Sequence, residues 1–246
     1  MSASHVRSAT ARAEVYRFLA LAFADPTDGS AARLRQQWPI TEAALTALGL
    51  PDRVDDAVGL SDAALGQTHL ACFGHALSKE CPPYEAEYGQ AHIFEKTQTL
   101  ADISGFYKAF GLQLSGAVRD RPDHLAFELE FMEFLCQQQA FGERQGHPPE
   151  RVVLCRDAQR TFLDAHLGRW AFSFAHHLIR KSPTGIYAAF ARLLEGFLEH
   201  ELDAMGIARR ADPFLNEADV DQVENSACGA CPVATGTAPL QQGVQR

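Results

Sequence analysis

The stretch GIYAAFARLLEGFLEHELDAM, residues 185–205, carries the longest apolar stripe of the chain. Its large apolar side chains recur at the three- and four-residue spacing of one face of an α-helix, over about five turns. They are Ile186, Tyr187, Phe190, Leu193, Leu194, Phe197, Leu198, Leu202 and Met205. Because other elements must cover so wide a stripe, we predict a helix at about 183–206 in the centre of a helical bundle.

The composition favours the same fold class. The chain has 246 residues, of which 46% are hydrophobic and 22% charged, as is typical of a folded globular protein. Ala and Leu outnumber Val and Ile, which favours helices because unbranched side chains lose little rotamer freedom there. We predict an all-α, single-domain helical bundle over residues 1–210. A flexible C-terminal tail is predicted over 211–246, where the apolar periodicity ends.

Weaker patterns place the remaining helices. Segments at about 30–37, 41–49, 61–77 and 94–110 are predicted to be helical. RPDHLAFELEFMEFLCQQQAF predicts a central helix at about 122–142, with Pro122 in its first turn and Asp123 near the positive end of its dipole. Two more helices are predicted before and after Gly168, with Val153 and Leu154 facing inward.

The apolar run FLALAFA, residues 18–24, has two interpretations. Its Ala-Phe-Ala end resembles a signal-peptidase site, but Arg12, Glu14 and Arg17 precede it at helical spacing, which favours an ordinary first helix. No run approaches the roughly 18 apolar residues that span a bilayer. We therefore predict a cytoplasmic protein without membrane insertion, whose six cysteines are thiols or ligands and not structural disulfides.

The charge and the motifs narrow the function. The formal charge of −9 makes nucleic acid an improbable partner and would instead attract a cationic peptide or protein segment. The sequence contains no phosphate loop, no dinucleotide-binding glycine motif, no nucleophile elbow and no H-E-x-x-H zinc motif. These observations favour a binding protein over an enzyme.

The loop sequence KECPPYEAEYG, residues 79–89, is the first candidate for recognition. Two prolines stiffen the backbone and present Tyr84, Glu85 and Tyr88 at a defined angle. The tyrosines would supply apolar area and the glutamates could pair with arginines of a partner. The alternative is that the prolines only join two helices and that the tyrosines anchor the loop to the core.

The pair Asp123-His124, with Glu128 one turn later, is the second candidate. Positions four apart share a helix face, which would suit a metal or an acid/base pair. One histidine and one glutamate are too few ligands for a closed zinc site, however, and the helix dipole alone explains an early carboxylate. Structural or recognition roles are therefore favoured over a metal site.

The pair Cys228 and Cys231 has the spacing that lets two thiolates bind zinc or an iron–sulfur centre, or form a redox couple. One such pair is half a site. If the tail folds back, the other half could come from Cys72, Cys81, His69, His75 or His92. The alternative is a flexible tail with two free thiols and no cofactor.

Four stretches, taken in order, resemble the signatures of one known family. They are CPPYEAEYG, RPDHLAFELEFM, FLDAHLGRWAFSFAHHL and GIYAAFARLLEGFLEHEL. The sequence is similar to the TorD/DmsD-like cytoplasmic chaperones for molybdenum oxidoreductases, which are related to the nitrate reductase assembly factors. The resemblance covers about residues 10–206. It implies an all-helical, non-catalytic protein that holds the apo catalytic subunit of a molybdopterin oxidoreductase, often through its twin-arginine leader, until the cofactor is inserted.

The resemblance also implies a client-binding surface. In this family the proline-tyrosine-glutamate loop and the Asp-His helix start are associated with client recognition, which carries over to Tyr84, Glu85, Tyr88, Asp123 and His124. The cysteine tail is an addition to the family pattern. The competing hypothesis is a small metal-binding or thiol-redox protein that uses Cys228 and Cys231 with Cys81 or nearby histidines.

Overall fold

The computed structural model describes residues 3–51, 54, 59, 61–74, 80–88, 93–114 and 120–209. The elements in these ranges are helical, and the only β-type pairing there is one isolated bridge. The α-helices are α1 (Ala3–Phe23), α2 (Ser30–Leu48), α3 (Asp62–Phe73), α4 (Ile93–Ala109), α5 (Leu125–Gln145), α6 (Pro149–Phe162), α7 (Gly168–Lys181) and α8 (Ile186–Met205). A short 3₁₀ turn spans Glu85–Glu87 and a π-helical segment spans Leu163–Leu167. The all-α prediction is confirmed.

Helix α8 lies in the core, as the apolar stripe predicts. Every residue of that stripe is buried except Met205, which is half-buried. Helix α8 packs on α7, while α1 packs on α5 and α2. Phe18 of α1 meets Phe190 of α8 edge to face, with ring centroids 5.6 Å apart. The run at 18–24 thus contributes to the core from within α1.

Two predicted boundaries on the N-terminal side are wrong. Helix α2 is one helix and not two, and it contains Pro39. Leu34, Trp38 and Leu45 continue one buried face across that proline, so burial outweighs the backbone hydrogen bond that proline removes. Helix α3 ends at Phe73 instead of 77, because Gly74 caps it with a positive φ of 74°.

Helix α5 begins three residues later than predicted. Its N-cap is His124 and its first residue is Leu125, so Pro122 and Asp123 precede the helix. Asp123 therefore does not act as a first-turn carboxylate. This shift matters because it places Asp123 in the turn that precedes α5, where its backbone can pair with another part of the chain.

Helices α6 and α7 form one continuous helical run, not two separate helices. The π-helical segment joins them, and Gly168 keeps helical angles, with φ −72°. Val153 and Leu154 are 49% and 60% exposed, so the prediction that they face inward is wrong. The buried face of α6 instead contains Val152, Gln159 and Phe162.

None of the helices among the described residues is long and apolar enough to cross a bilayer.

Candidate binding site at the junction of the loop and helix α5

The loop at 80–88 pairs with the segment that precedes α5. The carbonyl of Pro83 accepts a hydrogen bond from the Leu125 amide at 2.9 Å, and the Glu85 amide donates to the Asp123 carbonyl at 3.0 Å. Tyr84 and His124 form the antiparallel bridge between them. The two candidate motifs, about forty residues apart in sequence, therefore lie side by side. We call residues 80–88 and 120–128 together the junction.

Asp123 holds this junction together from inside. Its side chain is fully buried, and its carboxylate accepts hydrogen bonds from the Arg121 Nε at 2.9 Å, the Arg121 Nη2 at 2.6 Å and the Ala86 amide at 3.0 Å. The carboxylate thus fixes the 3₁₀ turn against the start of α5. It is not presented at the surface.

His124 is also used by the fold. Its Nδ1 accepts a hydrogen bond from the Ala126 amide at 3.1 Å, which caps α5. Burial lowers the pKa of this imidazole despite nearby aspartates, which favours the neutral ring that such an acceptor requires. The Tyr84 ring packs edge-on against it, with ring centroids 5.0 Å apart.

A second set of charges covers the outer side of the junction. Arg121 Nη1 donates to Glu87 at 2.7 Å, and Lys96 Nζ donates to the other oxygen of Glu87 at 2.6 Å. Arg121 also lies over the Tyr84 ring, 4.7 Å from its centroid. Partial burial opposes ionisation of Glu87, but these two cations lower its pKa overall. Glu87 is therefore an ionised tether.

Tyr88 anchors the end of the loop in the core. It is nearly buried, and its ring lies 5.2 Å from that of Trp170, centroid to centroid. Trp170 Nε1 donates to Glu128 Oε2 at 3.1 Å. Burial raises the pKa of Glu128 well above its usual range, and the neighbouring carboxyl of Glu85 raises it further. The fold thus favours a protonated Glu128.

Glu85 connects the junction to the π-helical segment. His166 Nδ1 lies 3.1 and 3.2 Å from the two carboxylate oxygens of Glu85, and its Nε2 lies 3.4 Å from an oxygen of Asp102 on α4. No functional role was predicted for His166 or Arg121, and Trp170 was predicted only to face the core. His166 and Trp170 lie in FLDAHLGRWAFSFAHHL, whose match to the family signature was the one signal that could have found them.

An acidic cleft opens beside the junction. It has a volume of about 430 Å³ and is lined by Asp25 at the end of α1, Tyr84, Asp120, His124 and residues of the first turns of α5 that include Glu130. Tyr84 donates its hydroxyl hydrogen to Asp120 at 2.9 Å, which positions that carboxylate. The Asp25 side chain is 79% exposed. Three carboxylates are thus available here to a cationic partner.

An apolar cleft of about 210 Å³ adjoins the acidic cleft and shares Phe127 and Glu130 with it. Its other lining residues are Tyr107, Leu112, Gln113, Leu114, Phe131 and Phe134. The two clefts together offer carboxylates at one end and apolar side chains at the other. A segment with positive charge followed by apolar residues fits this order.

The described residues contain no group of three or more His, Cys, Asp or Glu side chains arranged to hold a metal ion. Asp123, His124 and Glu128 each bind a different protein partner and do not converge. Cys228 and Cys231, like His75 and His92, lie outside the described residues. Zinc or iron–sulfur binding by the tail stays a prediction, which elemental analysis of protein purified without oxygen would test.

Comparison with known proteins gives consistent results. Residues 41–176 match the family model described as nitrate reductase delta subunit. A selenate reductase assembly chaperone of Thauera selenatis is 36% identical over 44% of this chain and 53% of its own length. A perchlorate reductase assembly chaperone of Dechloromonas aromatica is 31% identical over 50% of this chain and 54% of its own. A chaperone protein TorD of Vibrio cholerae is 29% identical over 48% of this chain and 52% of its own length.

The chain spans about half the length of the curated relatives it matches. A crystal structure from Archaeoglobus fulgidus, of a protein suggested to act in redox enzyme maturation, superposes with a TM-score of 0.51. It covers 76% of this chain and 93% of the other, at 22% identity. At this identity the likeness supports the helical fold.

Proposed function

Since this chain belongs to the nitrate reductase delta subunit family, we propose that it is a maturation chaperone that binds the catalytic subunit of a molybdopterin oxidoreductase before cofactor insertion and assembly are complete. Its relatives are named as assembly chaperones for selenate, perchlorate and chlorate reductases. The protein would act by binding and not by catalysis, and it would do so in the cytoplasm, where the apo subunit is made.

The observation that carries this proposal is the pairing of the acidic cleft with the apolar cleft. A twin-arginine leader has two arginines followed by an apolar stretch, which matches that order. Asp25, Asp120 and Glu130 would receive the guanidinium groups, each charge-assisted contact contributing about 1.5–3 kcal/mol when shielded from water. Phe127 and Phe134 would receive the apolar stretch.

The five residues first assigned to client binding then divide into two roles. Tyr84 and His124 line the acidic cleft and would contact the client directly. Glu85, Tyr88 and Asp123 would act through the fold, because they hold the junction against α5 and the π-helical segment. Replacing any of these three would affect binding by displacing the cleft.

The test has two stages. The full chain is first used to purify its partners from the native cytoplasm, where we expect a molybdopterin oxidoreductase subunit with its leader intact. A synthetic peptide of that leader is then titrated against wild type and the double variant Asp120→Asn/Glu130→Gln. We expect at least about tenfold weaker binding, or about 1.4 kcal/mol, and a smaller difference at high salt because ions screen the wild-type pairs.

Glu42→Gln is the matched control, since Glu42 is an exposed glutamate on α2 that does not line either cleft. It removes one negative charge outside both clefts and should leave the affinity unchanged. Equal affinity of the double variant and wild type, with the fold intact, would place the leader elsewhere. A partner set without any molybdopterin subunit would refute the chaperone proposal itself.

A further inference from the structure

Two cysteines meet where helix α3 ends and the loop at 80–88 begins. Cys72 is in the last turn of α3, and Cys81 precedes the two prolines. The Cys81 Sγ lies 3.4 Å from the Cys72 carbonyl oxygen. Cys81 is 0% exposed and Cys72 is 2% exposed. Neither sulfur is part of a disulfide bond. They form a pair of thiols on two different segments of backbone.

An ammonium group lies beside this pair. Lys181, at the end of α7, interacts electrostatically with both thiols, and its Nζ is bonded to Glu80 at 2.8 Å. The Ser182 side chain lowers the pKa of Cys72 as well. Positive charge and a hydroxyl donor both favour a thiolate, which is the species that attacks a disulfide. The surroundings of this pair therefore include groups that support thiol chemistry.

We propose that Cys72 and Cys81 are a reversible thiol–disulfide site. In the first step the thiolate of one cysteine attacks a small disulfide such as glutathione disulfide, forming a mixed disulfide and releasing one glutathione. In the second step the other cysteine, after losing its proton to solvent, attacks the protein sulfur of the mixed disulfide and releases a second glutathione. The two protein thiols are oxidised by two electrons in total, and the glutathione disulfide is reduced.

The other described cysteines lack this arrangement. Cys136 is packed within α5 and donates to Gln159 Oε1 at 3.5 Å, and Cys155 is on α6, so both are carried by packed helices. Cys81, in contrast, is in a non-helical segment, and its Sγ lies against the backbone of Cys72. Closing this bond would tie the start of the loop to α3. The proposal does not depend on which client the junction binds.

Burial makes the expected reaction slow near neutral pH. Desolvation raises the pKa of Cys72, and the second thiol raises it further, against the opposing effects of Lys181 and Ser182. The thiolate fraction then rises about tenfold per pH unit below that pKa. Oxidation should accelerate accordingly between about pH 7 and 9.

The test is peptide mapping of the full chain after incubation with glutathione disulfide. Free thiols are alkylated, and trypsin cleaves after Lys79, so a disulfide between Cys72 and Cys81 joins two separate peptides. We expect the linked peptides in most molecules, and their loss on addition of dithiothreitol. Cys72→Ser and Cys81→Ser should stop at the mixed disulfide, whereas Cys136→Ser should form the link at the wild-type rate.

Three outcomes would overturn the proposal. They are stable glutathione adducts on wild-type Cys72 or Cys81 without a link, preferential linkage of Cys81 to Cys228 or Cys231, and two alkylated thiols after prolonged oxidation. Because the mapping uses the wild-type chain, it remains decisive even if a serine variant does not fold.

Discussion

Two buried glutamates of this bundle differ in whether a cation is paired with them. Glu201 of α8 is fully buried, and it is neutralised by Arg12 through two hydrogen bonds of 2.6 Å and by the Tyr16 hydroxyl at 2.8 Å. Glu128 of α5 is equally buried but receives one neutral donor, Trp170, and lies near Glu85. Glu201 is matched by a cation, whereas Glu128 has no such partner among the described residues and is favoured in its protonated form.

This contrast distinguishes charged groups that are used up within the fold from charged groups that remain available to bind a client. A matched pair such as Arg12 and Glu201 stabilises one packing of α1 on α8 and leaves nothing for a ligand. At the junction, negative groups outnumber their partners, and the excess continues outward to Asp25, Asp120 and Glu130 in the acidic cleft. We infer that this accumulation of carboxylates suits a cationic client, and the following variants test the contrast.

Arg12→Met should have the largest effect. It leaves Glu201 buried without its cation, which costs about 3–5 kcal/mol of the free energy of unfolding. Urea denaturation measures the loss. The double variant Arg12→Met/Glu201→Leu should recover most of it, because an apolar pair needs no counter-charge. A double variant as unstable as the single one would show that the ion pair itself stabilises the bundle.

Asp123→Asn should have an intermediate effect. The amide oxygen can still accept from the Ala86 amide, but the charge that pairs with Arg121 is lost. A charged hydrogen bond is worth about 1.5–3 kcal/mol, and the one-third exposure of Arg121 favours the lower end. Chemical denaturation gives the value. The control is Asp120→Asn, which changes a carboxylate that lines the acidic cleft and should cost less stability. A larger loss for Asp120→Asn than for Asp123→Asn would show that Asp123 does not hold the junction.

Glu128→Gln should change the pH dependence of stability. Because the folded pKa of Glu128 is raised, the folded state keeps a proton that the unfolded state releases above about pH 4.5. Wild type therefore loses stability as pH rises through that window, by up to about 1.4 kcal/mol per unit. The glutamine variant lacks this loss, so its stability relative to wild type should increase with pH.

The comparison is made by subtraction, because the other charged and polar side chains near Glu128 and Glu85, which are Asp123, Tyr107 and His166, are present in both proteins. Denaturation curves of both proteins between about pH 5 and 8 provide the difference. Parallel profiles would mean that Glu128 ionises in the folded protein as it does in the unfolded chain.

Asp25→Asn should have the smallest effect on stability. The side chain is largely exposed, and it lies 3.4 Å from His69, an imidazole whose pKa is lowered by burial, so the change should stay within about 0.5 kcal/mol. Thermal denaturation should give nearly the wild-type midpoint, while the leader peptide binds more weakly. A clear loss of stability would show that Asp25 stabilises the fold and is not only a residue that binds the client.

The fold and the family were predictable because their signals are local. The stripe of α8 repeats every three or four residues, and four signatures occur in the family's order, so both the all-α class and the resemblance are confirmed. Helix α2 was predicted as two helices because the sequence alone does not show that burial of Trp38 and Leu45 overrides Pro39. Which face of α6 is buried depends on α5, so Val153 and Leu154 were placed wrongly.

The site was only partly predictable, because its partners are far apart in sequence. Tyr84 and His124 were proposed as site residues from their type and from the family resemblance. The contacts of Asp123 with the Ala86 amide and of Glu85 with His166, in contrast, join positions 37 and 81 residues apart. No local pattern encodes such pairs. The sequence therefore singled out the two segments that meet at the junction, but it could not say which of their side chains line the acidic cleft and which hold the loop.

The π-helical segment at Leu163–Leu167 has a consequence for which changes in length the chain can tolerate. An α-helix turns by about 100° per residue, and the wider π turn changes the direction in which the side chains of α7 point relative to those of α6. The continuous helical run can therefore pack on α5 through α6 and on α8 through α7. A Cβ on Gly168 would lie 2.6 Å from the Leu163 carbonyl, which leaves little room to rearrange this turn. Deleting one residue here would rotate Trp170 and Phe174 by about a quarter turn out of the core, so we expect homologous chains to vary in composition across this segment but not in its length.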